Sequence, residues 1–301
     1  MAPARPLTPL RRAVGASVSS TFDDSGRERR LGSFFAPAGD PGWFGPDSIA
    51  WAVHGELGPM LIGGLSSLML QTLHPLVMQG VADHSGYRKD PFGRFRRTAD
   101  FLAATTYGSD EMAWRAVHEV RRIHARVSGV AFDGRPYSAA DPDLLTYVHV
   151  TEVWSFLRAF QRYSGRPLLL SEKNRYLSEV AVVARRLGAL EVPQTTEQMR
   201  SYLRAARGEL VATPAAKEAI AFLRRPVGRS IPERAAHLVV IEGAIDLLPS
   251  FARRRLGVIR PGLYRRAGVR PAGAAVSVAL HVLLGESPLL AAARHRATAG
   301  R

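Results

Sequence analysis

The 301-residue chain contains no cysteine. That excludes disulfides, thiolate metal sites, iron–sulfur ligation and cysteine nucleophiles, so any redox chemistry must rest on histidine ligands or a bound cofactor. Lysine is almost missing too: of 41 basic residues, only Lys89, Lys173 and Lys217 are lysine. The arginines that take its place accompany abundant alanine, glycine and proline, a pattern that biased codon usage produces. Pairs such as Arg29-Arg30, Arg121-Arg122 and Arg265-Arg266 are scattered along the chain, and no basic stripe with interleaved aromatics forms. The formal charge of +15 therefore implies no nucleic-acid partner.

Strand alternation is scarce, and no Asn-Gly hairpin signal appears. Helix starts recur instead. Asp90-Pro91, Asp141-Pro142 and Thr213-Pro214 each place a capping residue before a proline at the first helical position. Ser109, Ser171 and Thr195 are further caps, and Thr195 with Gln198 has capping-box spacing. The expectation is an all-α protein: a single globular domain of about ten helices over residues 46–301, preceded by a partly disordered N-terminal arm over residues 1–45 that is rich in Pro, Gly, Ser and Arg. Leu57–Ala82 is long enough to cross a bilayer, but Gln71, His74, Pro75 and Gln79 interrupt it, which favours a buried central helix. Arg11-Arg12 is followed by no apolar core, so no secretion signal is expected and the location expected is cytoplasmic.

Two helical stripes carry imidazole. In Ala113–Val127, His124 shares a face with Ala113, Val117, Val120 and Val127. In Leu144–Tyr163, His149 lies beside Leu145, Val148, Glu152, Phe156 and Ala159. An inward histidine serves as a hydrogen-bonded core residue, a general base, or a metal or haem ligand. Glu152, three residues after His149, is placed to pair with it. His124 has no acid at i±3 or i±4, which suits ligation better than a carboxylate-bonded structural role. No His-x-x-x-His, Glu-x-x-His or His-Glu-x-x-His element argues for non-haem metal, and there is no Gly-x-Ser-x-Gly elbow. His74 and His84 flank an apolar segment and are placed either to face a pocket or to brace helix ends. After Pro91, Arg94, Arg97 and Thr98 share one helical face. With Phe95, Phe101 and Leu102 packing that helix, the arginines want an anion such as a carboxylate.

At these residues the sequence resembles the MpaB/rubber-oxygenase family, which includes latex-clearing proteins. The resemblance is carried by His74-Pro75-Leu76-Val77, Gly80-Val81-Ala82-Asp83-His84-Ser85, Asp90-Pro91-Phe92-Gly93-Arg94 and Arg97-Thr98. It continues through His124–Gly129 (HARVSG), Tyr137, Asp141-Pro142, Leu144-Leu145 and Tyr147-Val148-His149. It implies an all-α fold holding haem b between helices, with dioxygen as co-substrate and His124 as the iron ligand. Arg94, Arg97 and Thr98 would line the distal side or steady the cofactor, with His74, His84 and His149 as further cofactor contacts. The implied function is a haem-dependent oxygenase that oxidises or cleaves a hydrophobic, isoprenoid-like or secondary-metabolite small molecule.

The chain departs from the rubber branch at three places. Arg97 stands where latex-clearing proteins have lysine, and arginine is a poor iron ligand. Tyr147 replaces a frequent tryptophan. The glutamate base has no counterpart before Arg94, leaving Glu56, Asp83 and Asp90 as candidates by sequence proximity. Two alternatives share these residues: a haem-binding sensor, carrier or peroxidase-like protein, and a cofactor-free helical protein whose surface meets a partner or, peripherally, a membrane.

Overall fold

A computed structural model describes residues 31–86, 90–228 and 230–299. Most of the arm expected over residues 1–45 lies outside the described residues. The order is α1 (Ile49–His54), α2 (Leu57–Gln71), α3 (Pro75–His84), α4 (Pro91–Tyr107), α5 (Asp110–His124), β1 (Ser128–Val130) and β2 (Pro136–Ser138). Then come α6 (Pro142–Tyr163), α7 (Leu170–Leu187), α8 (Thr196–Ala205), α9 (Pro214–Leu223), α10 (Ile231–Leu247), α11 (Ser250–Arg255), a π-helical segment Tyr264–Val269 running into α12 (Arg270–Leu284), and α13 (Pro288–Thr298). The protein is all-α, as its periodicity indicates. Helices beyond the expected ten are short, such as the six-residue α1 and α11, or arise where one apolar run breaks in two.

The centre is the α2–α6 pair. Along α6 most residues are buried, and Val150, Val153, Phe156 and Phe160 meet Ile62, Met69 and Leu70 of α2 in the main core. Gly63 lets the two backbones approach: a Cβ there would sit 3.0 Å from the carbonyl oxygen of Ser155. α7 and α10 add Tyr176, Leu177, Ile241 and Ile245 to the same core.

Capping residues start these helices largely where expected. The Asp90 carboxylate accepts from Gly93 N–H, Asp141 from Asp143 N–H, and Thr213 Oγ1 from Ala216 N–H. Thr195 and Gln198 form their capping box. Ser171 does not cap α7. That helix begins at Leu170, where Glu172 reaches back to the Leu169 N–H at 2.8 Å.

The apolar run 57–82 is not one helix. It breaks after Gln71, and α2 and α3 meet at 104°. Pro75 cannot donate to the preceding turn, so it opens a new helix with His74 as its N-cap residue. The corner is held by the Val211 N–H, which donates to the Leu73 carbonyl at 2.7 Å. A small hairpin, β1 with β2, is the second departure. Its register pairs Gly129 with Tyr137, and its turn uses Asp133-Gly134, with Gly134 at φ +83° where only glycine is unstrained.

Residues 31–45 are tied to the far end of the chain. Arg296 of α13 is completely buried. Its guanidinium donates to the carbonyls of Phe34 (2.9 Å), Asp40 (2.8 Å), Tyr107 (2.8 Å) and Gly108 (3.1 Å). The run Tyr264–Leu284 is long and apolar enough to cross a membrane by length and composition, and little of it is buried.

Candidate functional site

Between α4–α5 on one side and α6–α7 on the other lies a cavity of about 80 Å³. α4 supplies Phe101, Leu102, Thr105 and Thr106; α6 supplies Leu145, Val148, His149, Glu152, Val153 and Phe156; α7 closes it with Val180, Val183, Ala184 and Leu187. His54 at the end of α1, His124 at the end of α5 and Phe44 before α1 complete the wall. Three imidazoles and one carboxyl thus face an otherwise apolar space.

Their states differ. His54 is satisfied on both nitrogens, Nδ1 by Thr106 Oγ1 at 2.8 Å and Nε2 by the Tyr176 hydroxyl at 3.0 Å. Burial pushes its pKa down to about 4. His149 is likewise pushed down to about 4, by burial and then by Arg185, and its Nε2 is buried without a hydrogen-bond partner. His124 is lowered by burial, and its Nδ1 is also buried without a partner. Neutral imidazoles with unpaired nitrogens are ready to ligate, because no proton has to leave first.

Glu152 does not pair with His149, although the i, i+3 spacing allowed it. No described residue donates a hydrogen bond to its carboxyl, and burial in the apolar cavity raises its pKa to about 7. It is also close enough to Tyr176 to help raise that phenol's pKa, after burial.

The other expected residues sit elsewhere. Arg94, Arg97 and Thr98 are on the stripe of α4 that continues into Phe101, Leu102 and Thr105, but a turn or more before the cavity lining begins. Arg97 and Thr98 are exposed; Arg97 lies 3.7 Å from Asp90, and Thr98 Oγ1 donates back to the Arg94 carbonyl. His74 is buried against Tyr147, with ring centroids 4.9 Å apart, and its Nε2 is 3.6 Å from Glu209. His84 braces the hairpin, with Nε2 3.1 Å from the Ser128 carbonyl and its ring against Tyr137. Of the three acids near Arg94 in sequence, Glu56 stands 3.6 Å from His281, Asp83 accepts from Tyr137 at 2.6 Å, and Asp90 caps α4. None lines the cavity.

His54 carried no signal in the sequence. Its place follows from α1 crossing α4 and α7, a tertiary fact.

The donor set suits a prosthetic group that brings its own equatorial ligands. Among the described residues, no three His, Asp or Glu side chains come close enough to hold a bare ion. A porphyrin iron needs only one imidazole from the protein, and His124 and His149 each offer an unpaired nitrogen there.

Residues 51–278 match the family described as ER-bound oxygenase mpaB/B'/rubber oxygenase, catalytic domain. No curated protein and no solved structure matches the chain. The match spans most of α1 through most of α12 and takes in every helix that lines the cavity, so the chain belongs to the mpaB/rubber-oxygenase catalytic-domain family.

Proposed function

We propose that this oxygenase-family protein is haem b-dependent and acts on a hydrophobic small molecule with dioxygen as co-substrate. The observation that carries the reading is the pair of unpaired imidazole nitrogens, on His124 and His149, at the wall of an apolar cavity. His124 would hold the iron from the end of α5. Bound haem would supply dioxygen activation.

The remaining work falls to the chain. Phe101, Leu102, Val153, Phe156 and Val180 give the cavity an apolar lining that matches an apolar substrate. The Glu152 carboxyl, with a pKa near neutrality, can take a proton from a bound substrate or return one. Arg94 and Arg97, on the same stripe of α4 as the lining residues, would pair with the cofactor's carboxylates. The exposed Arg97–Asp90 contact is weak enough to be exchanged.

The cavity of about 80 Å³ is below the roughly 300 Å³ at which small-molecule pockets begin, so a bound cofactor would need a wider space between these helices than this structure has. The exposed apolar face of Tyr264–Leu284 supports peripheral membrane contact as a route for such a substrate.

The test is an absorption spectrum of protein expressed with added haem, beside His124→Ala and His149→Ala. An intense Soret band, lost or shifted only in His124→Ala, supports the assignment. A band altered only in His149→Ala moves the ligand to α6. Folded wild-type protein that takes up no haem overturns the cofactor.

A further inference from the structure

On the face of α6 opposite the cavity lies a polar cluster that the oxygenase reading does not use. Asp246, at the end of α10, has its side chain wholly out of solvent. It accepts from Arg162 of α6, from Arg265 in the π-helical segment, and from Arg270 Nε of α12 at 3.0 Å. Arg253 of α11 donates to the backbone carbonyls of Asp246 and Leu248.

Arg158, one turn before Arg162, has no such partner. Its guanidinium lies 5.6 Å from the centre of the Trp154 ring, and no described residue accepts a hydrogen bond from it. Burial, then repulsion from Arg162 and Arg253, pushes its pKa down to about 10, with Asp246 pulling the other way. Five guanidinium groups therefore crowd around a single carboxylate.

Trp154 and Gln161 flank Arg158 at i−4 and i+3, which sets all three on one helical face. Trp154 is only 9% exposed. Its indole Nε1 and the Gln161 amide Nε2 are both buried without an acceptor. Surface arginine is cheap in an arginine-rich chain. A half-buried arginine without an acceptor, beside two orphaned neutral donors, is a standing cost that an incoming anion would remove. Guanidinium forks match planar and tetrahedral oxyanions, and the surplus of positive charge favours a dianion over a carboxylate.

We propose that the Trp154–Arg158–Gln161 face of α6, with Arg162 and Arg253 beside it, binds a phosphate group. The source is either a soluble phosphate or phosphate ester, or the headgroup of an anionic lipid. The site is separate from the cavity and does not depend on haem.

The experiment uses the full chain without haem, titrated with inorganic phosphate at constant ionic strength against chloride, with Tm as the readout. The expected result is a saturable rise of roughly 5 °C once phosphate exceeds its Kd about a hundredfold. In Arg158→Gln, Kd should weaken roughly tenfold or more. Its Tm without phosphate should be unchanged or higher, because a repelled cation has gone; a purely structural Arg158 would instead lower it. Trp154→Phe keeps an aromatic ring under Arg158 while removing the indole N–H together with the smaller ring that carries it. It should weaken phosphate binding in a folded protein even if Arg158→Gln does not fold.

A wild-type shift no larger than that in chloride overturns the proposal, as does an equal phosphate shift in wild type and both variants. Flotation with phosphatidic acid vesicles against phosphatidylcholine vesicles separates the sources. Capture by the former, lost in the variants, assigns a lipid headgroup. Phosphate binding without vesicle capture assigns a soluble phosphate.

Discussion

Replacing Glu152 by glutamine measures what the cavity does to a carboxyl. The side chain is nearly isosteric, so packing is preserved and only the ionisation is removed. In the folded protein, burial without a hydrogen-bond donor raises the group from 4.5 to about 7. At ~1.4 kcal/mol per pKa unit, that difference amounts to about 3 kcal/mol, an upper figure because the carboxyl opens onto a space water can enter.

The direction follows from which state ionises first. Below pH 4.5 both folded and unfolded chains carry the proton, and Glu152 costs nothing. Between 4.5 and about 7 the unfolded chain gives it up first, so wild-type stability falls as pH rises; above about 7 the loss is complete. Glu152→Gln escapes that loss. Urea unfolding followed by circular dichroism at several pH values from 4.5 to 8.5 should show the variant's advantage over wild type widening by about 2–3 kcal/mol. Parallel profiles, with a constant gap across that range, would mean an ordinary, solvated carboxyl and would remove Glu152 as a proton-transfer group at neutral pH.

Two further substitutions probe the frame around the site. Asp246→Asn leaves Arg162, Arg265 and Arg270 without their counter-charge; since those side chains are 19–35% exposed, a loss of about 3 kcal/mol, the low end for breaking a buried ion pair, is expected in a thermal melt, or roughly 5 °C. Burial alone would raise the Asp246 pKa, but Arg270, Arg162 and Arg265 outweigh it and hold it below 3.8, so the wild-type advantage should be full above that pH and fade as pH falls through the lower value. Gly58→Ala would place a Cβ 2.6 Å from the Ser277 Cα of α12. The ~1 kcal/mol gained in helix propensity is outweighed by ~1–3 kcal/mol of overpacking, so denaturant midpoints should fall, and a midpoint above wild type would show that α12 yields freely.

How far the site was legible in the sequence is clearest on α4. The spacing of Arg94, Arg97 and Thr98 puts them on the stripe that Phe101, Leu102 and Thr105 carry on to the cavity. What periodicity cannot give is height along the axis. One turn is about 5.4 Å, and that much displacement leaves Arg97 and Thr98 in solvent. His124 and His149 were found because each shares a stripe with buried residues. Glu152 was read as a partner of His149, because adjacency along one helix is visible in sequence while a void between four helices is not. The capped prolines marked helix starts well, since capping is chemistry between near neighbours. The corner between α2 and α3 depends instead on the Val211 contact from more than a hundred residues away. Asp133-Gly134 did carry a hairpin signal, one that a search for Asn-Gly alone passes over.

The Arg296 clasp has a consequence for how the chain is made. Phe34 and Asp40 leave the ribosome more than 250 residues before Arg296, the side chain that donates to their carbonyls. During synthesis, residues 31–45 can meet Asp110 through Asp40 and Trp43, but their contacts with Arg296 wait until α13 has emerged. Helices α2, α6 and α7 can assemble as they emerge, so the segment 31–45, made early, is fully fastened only after α13 has been made.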